Sequence, residues 1–177
     1  MFQTLISSVT VGAGGSTSMT FTSIPQTYTD LTLAVCARSL GGGANATLYL
    51  EFNADVSVFY NGRSFFGTGA SVFSGTDTSL VQINLGRHSG SSSTANTFGS
   101  TNVLIPNYTG SANKTMSFDS VSENNASDAF QWFGAGRFPK TTAVTSLRLF
   151  DNGGGFAQHS TAYLYGTLKG SGGATVS

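Results

Sequence analysis

Apolar residues recur at every second position through much of this chain, the spacing that sends alternate side chains of an extended strand to opposite faces. Leu31, Leu33, Val35 and Ala37 alternate with Thr32, Ala34 and Cys36, which predicts a strand over 31–37 with one face on a core. Leu48, Leu50 and Phe52 alternate with Thr47, Tyr49 and Glu51, which predicts another over 46–52. The glycine-rich tip Leu40 to Asn45 lies between these two, so each is the simplest partner for the other. Phe2 to Val11 predicts an opening strand, preferred over an arm reaching a neighbour. Gly12, Gly14 and Gly15 then predict a turn into Thr17 to Ile24, and the two runs form an expected hairpin. Pro25 ends that hairpin, because proline has no N–H to donate to a ladder.

Residues 53–75 fit neither the strand nor the helix period and read as a loop held by packed aromatic anchors. Further short strands are predicted at Ser79 to Leu85, Thr97 to Ile105, Thr115 to Val121, Phe130 to Gly136, Val144 to Phe150 and Thr161 to Leu168. Gly, Ser, Asn or Pro clusters divide them. Ser122 to Phe130 is the one candidate helix, and its polar start and Asn124-Asn125 pair make it a loop. Many short strands with turns between them predict an all-β, antiparallel sandwich or barrel, as one domain over residues 1–177.

Charge narrows the picture. The chain carries 8 Lys+Arg and 8 Asp+Glu, a net charge of +0, and its charged fraction is 9%, against about 25% in an ordinary soluble domain. Without a basic surplus no nucleic-acid partner is expected. No apolar run approaches the roughly 20 residues that span a bilayer, so no membrane partner is expected either. A neutral surface lacks the repulsion that keeps copies apart, which fits a protein that sits in an assembly. The single cysteine, Cys36, excludes an internal disulfide and is expected to be a buried small hydrophobe. Met1 to Ile6 shows no secretory signal, so synthesis in a cytoplasm is expected. Without such a signal the glycosylation-type triplets at Asn45, Asn107, Asn113 and Asn125 carry no weight.

Candidate chemistry is sparse. His88 and His159 have no metal-ligating neighbour at strand or helix spacing and read as surface-loop histidines, so no metal is expected. There is no Gly-x-Ser-x-Gly elbow, and the aspartates sit beside Asn or Gly, where they make turns. The glycine-rich segments lack the Lys-Ser/Thr of a phosphate loop, and no cofactor is expected. The chain is therefore not expected to be an enzyme. Arg63, Arg87 and Arg137 each follow a glycine and read as loop charges. What remains is aromatic. Alternation puts Phe130 and Trp132 on one face and Gln131 and Phe133 on the other, so a large aromatic is displaced toward a surface. Trp132 and Phe133, with the pair Phe65 and Phe66, are the candidate interface residues; a core, a subunit contact and a sugar platform are the roles open to them.

A family resemblance rests on several segments taken in order. They are Phe21 to Leu33, Ala37-Arg38-Ser39, Leu50-Glu51-Phe52-Asn53, Ala95 to Ser100, Ile105-Pro106-Asn107-Tyr108, Lys114-Thr115, Thr142 to Leu149, Gly155 to Ser160 and Tyr163 to Gly166. Together they span nearly the whole chain, which resembles the small β-rich structural proteins of tailed bacteriophages, familiar from phages of cyanobacteria. The resemblance implies a jelly-roll-like β-sandwich, no enzymatic activity and a place in the virion. With a starting Met1 and no coiled-coil heptads ahead of the domain, a stand-alone part is expected. The resemblance then implies a head decoration, or cement, protein: a homotrimer on the outside of the phage head that clamps neighbouring major capsid subunits. The alternative it implies is a tail-fibre or receptor-binding tip whose loops, 53–75 and 86–96, meet host glycans.

Overall fold

A computed structural model describes residues 3–41, 43–57, 60–125 and 129–168. Among these the chain forms strands and turns with no helix, and hence none long and apolar enough to cross a membrane. The strands are β1 (Gln3–Thr10), β2 (Ser18–Phe21), β3 (Asp30–Ala37), β4 (Asn45–Phe52), β5 (Tyr60–Gly67) and β6 (Val72–Leu80). They continue as β7 (Ile83–Ser89), β8 (Gly99–Ile105), β9 (Lys114–Glu123), β10 (Ala129–Phe138), β11 (Leu147–Asp151) and β12 (Thr161–Thr167). They form two antiparallel sheets, a broad one in the order β1-β12-β3-β8-β9-β10-β5-β6 and a narrow one in the order β2-β11-β4-β7. This is the expected all-β, two-sheet architecture, with eight strands facing four.

The core fills the space between the sheets because alternation is strict where it matters. On β3, Leu31, Leu33, Val35 and Ala37 are all buried, as their spacing predicts. On β9, Met116, Phe118, Ser120 and Ser122 point inward while Thr115, Ser117, Asp119, Val121 and Glu123 face solvent. Leu48, Leu50 and Phe52 of β4 and Leu147 and Leu149 of β11 meet this face from the narrow sheet. At one end of the sandwich Phe52, Tyr60 and Phe138 stack, with ring centroids 5.2 to 6.2 Å apart. The Tyr60 hydroxyl accepts the Phe52 N–H at 3.0 Å and faces the Asp55 carbonyl at 3.2 Å. Burial pushes that phenol well above its ordinary value.

Pairing departs from the local expectation at several places. β1 and β2 do not form a hairpin: β1 pairs β12, and β2 pairs β11. β3 lies between β12 and β8 while β4 lies between β11 and β7, so these neighbours in sequence belong to opposite sheets. The segment read as a loop over 53–75 contains β5 and the start of β6, which pair as a hairpin. The single strand expected over Ser79 to Leu85 is instead the end of β6 and the start of β7, with the chain bending at Val81 and Gln82. Within the expected loop over Ser122 to Phe130, β9 runs on to Glu123 and β10 starts at Ala129, Asn124 and Asn125 lie outside both strands, and residues 126–128 lie outside the described residues, as does Phe2 at the chain start.

Cys36, expected in the core, is exposed, because it takes the outward phase of β3 between buried Val35 and Ala37. Arg63, Arg87 and Arg137, expected in loops, lie on β5, β7 and β10. The opening segment is an edge strand of the broad sheet, as preferred.

Candidate interaction face

Register carries the four candidate aromatics to two different places. Phe66 pairs with Trp132 and with Phe73, and all three point to the inner side of the broad sheet. Their rings stack, Phe66 on Trp132 at 4.2 Å and Phe66 on Phe73 at 5.0 Å. Trp132 is buried and Phe66 is half-buried against the core, so these two serve packing. The indole Nε1 is buried without a hydrogen-bond partner among the described residues.

Phe65 and Phe133 take the opposite phase. They are cross-strand partners, they point away from the core, and they are 63% and 50% exposed. On the same outward face lie Val72 of β6, Val121 of β9 and Leu104 of β8, all exposed. One strand period therefore places an exposed apolar side chain on each of five adjacent strands of the sheet's outer face, with Val121 and Leu104 four residues apart along β9 and β8. Beside Phe133 the face dips into a groove of about 300 Å³ bounded by Leu104, Thr32 and Asp119. The outward charges on these strands are Arg63 and Arg137 toward one end, Asp119 level with Phe133, and Glu123 toward the other end. Asp119 receives Asn102 Nδ2 at 3.4 Å, and the Arg63 guanidinium donates to the Gly62 carbonyl at 3.0 Å.

The titratable groups away from this face are tied into the fold. His88, expected at the surface, is buried on β7, and its Nε2 lies 3.2 Å from Asp151 Oδ2. Asp151 Oδ1 accepts the N–H groups of Gly153 at 3.2 Å and Gly155 at 2.7 Å. Burial alone would raise this carboxyl; hydrogen bonds from His88, Ser39 and Gly155 and the charge attraction of His88 outweigh it and hold the group below the ordinary carboxylate value. Gly155 sits at φ +118, and a Cβ there would meet the Ser16 carbonyl at 2.5 Å, so this turn requires glycine. His159 stands in a loop at φ 72, exposed, as expected.

Two cations replace carboxylate partners with backbone carbonyls. Arg38 donates to the carbonyls of Thr94, Thr97, Ser91 and Ser93 at 2.8 to 3.2 Å and pins the connection before β8. Lys114, 2% exposed, points its ammonium at the carbonyls of Gly110, Ala112 and Thr141. Desolvation pulls the Lys114 pKa below its ordinary value. Glu51, on the narrow sheet, is buried and pairs with Arg148 at 3.0 Å.

Sequence reasoning found Phe65 and Phe133 as unusual aromatics and missed Val72, Val121 and Leu104. The available signal was the strand phase of Val121 and Leu104, each apolar at a position opposite to its buried neighbours. Among the described residues no group of three His, Cys, Asp or Glu gathers at metal-binding distance. No family model, no curated protein and no solved structure matches the chain.

Proposed function

We propose that this protein is a structural component of a phage virion, a capsid decoration protein that binds the outside of the head and stabilises contacts between major capsid subunits. The observation that carries the reading is the outward face of β5, β10 and β9, with Phe65 and Phe133 exposed on a near-neutral sheet. Such a face suits an assembly in which many modest apolar and hydrogen-bonded contacts are multiplied by symmetry. The family resemblance supplies the virion context. Cross-strand aromatics on a rigid sheet supply anchors that lose little conformational entropy on binding.

The test is quantitative mass spectrometry of purified particles together with binding of the recombinant chain to emptied heads. Hundreds of copies per particle, and saturable coating of heads, are the expected results. A few copies per particle, with binding to host cells and none to heads, would overturn the decoration reading and favour a tail-fibre tip.

A further inference from the structure

We infer that the outer face along β5 and β10 docks an extended segment of a partner protein that carries a carboxylate side chain and, four residues on, an apolar one. The inference rests on the reading of this face as the one that meets a protein, and names what that protein presents there.

The first observation is which cations the fold leaves unused. Arg38 and Lys114 are held by backbone carbonyls, Lys140 and Arg148 by Asp55 and Glu51, and Arg87 lies over the Phe130 ring at 4.6 Å. Arg63 donates only to the carbonyl of its neighbour Gly62, and Arg137 has no hydrogen bond or ion pair with a described residue. These two stand together. Arg63 pairs with Ala135, two residues from Arg137, which makes the arginines diagonal neighbours with Cβ atoms about 7–8 Å apart on one face. Like charges so placed repel, and a carboxylate between them satisfies both guanidinium forks.

The second observation is the hollow they border. It holds about 410 Å³, is walled by Arg63, Arg137, Asn61, Thr115 and Ala135, and has no carboxylate in its lining. Asp77 pairs with Gly62 and faces the inner side of the sheet. Asp119, the nearest acid on the outward side of these strands, is two strands across and two residues along from Arg63, about 12 Å at the backbone.

The third observation is a second hollow of about 190 Å³ on the same face, walled by Phe65, Phe133, Val72 and Gln131. The exposed Phe65–Phe133 pair separates the two. The basic hollow centres on the level of Gly136 and the largely apolar one on the level of Trp132, four residues or about 13 Å apart along β10. An extended chain sends its side chains at i and i+4 to the same side, also about 13 Å apart, so one such segment fills both hollows. Asp119 and Glu123 lie toward the apolar hollow, where a reversed segment would bring its carboxylate. Charge therefore fixes the direction in which the segment lies.

Nuclear magnetic resonance of the isotope-labelled full chain tests this with the peptide Thr-Glu-Thr-Thr-Thr-Leu-Thr. Saturable shifts are expected in the side-chain signals of Arg63 and Arg137 and in the amides of Phe65 and Phe133. The same peptide with Gln in place of Glu, or with one more Thr between Glu and Leu, is expected to bind about tenfold more weakly. No saturable shift, equal binding by all three peptides, or inorganic phosphate binding as tightly as the first peptide overturns the inference. Arg63→Gln combined with Arg137→Gln, both at exposed positions, is expected to abolish the shifts and to raise the concentration that half-saturates emptied heads about tenfold. Its melting temperature stays the same or rises, because a like-charge contact is removed. Heads bound equally well by this variant and by the unaltered chain overturn the inference and leave the decoration reading standing. Peptide binding without any binding to heads supports the site and removes that reading.

Discussion

At the scale of single residues, the unusual groups are ones whose partners lie far away in sequence. His88 and Asp151 meet across 63 positions, and their pairing gives the acid response a sign. The folded Asp151 carboxyl titrates below its ordinary value, so its stabilisation is full above about pH 4 and is lost as pH falls through the folded value. Asp151→Asn is expected to destabilise the chain at pH 7 by about 2 kcal/mol and by progressively less as pH falls below about 4, which urea denaturation over a series of pH values would measure. Lys114→Met leaves three carbonyls without their donor and is expected to cost about 3 kcal/mol in the same measurement. Cys36 is expected to react with an aromatic disulfide reagent in the folded state without denaturant, and protection of the thiol would contradict its outward phase.

At the scale of elements, alternation was legible wherever one face is fully buried, as on β3 and β9. It failed where a strand shows apolar groups on both faces. Phe65 points out and Phe66 packs inward, so β5 lacks the contrast that marks a strand, and its aromatics read as anchors of a loop. Leu80, Val81, Ile83 and Leu85 form an apolar run that hid the break between β6 and β7. Neighbours in sequence pair only in β5–β6 and in β8–β9–β10; the other pairs join strands remote in the chain and were not legible from neighbouring segments, β1 on β12 being the extreme case. The aromatic candidates were legible as a group, but which of them face outward depended on the register between β5 and β10. The same order predicts dynamics. Backbone amides of β3, β8 and β9, flanked on both sides, are expected to exchange hydrogen slowest, and those of the edge strands β1 and β6 fastest; amide exchange read by mass spectrometry would decide.

At the scale of the whole molecule, one continuous core joins both sheets, from Val11 near the start to Leu164 near the end. Heating is therefore expected to give a single cooperative calorimetric transition, and two resolved transitions would mean that the sheets unfold separately. Core truncation acts on the whole: Leu33→Ala or Leu50→Ala, both fully buried, is expected to cost about 2–5 kcal/mol and lower that transition without splitting it.

The antiparallel pairing that sets Gln3 beside Thr167 also fixes how the molecule bears a mechanical load. Tension applied between those two residues pulls across the ladder and peels β1 from β12 one rung at a time. It never shears the long central strands, so the first yield is at the edge, at low force, with the two-sheet body intact.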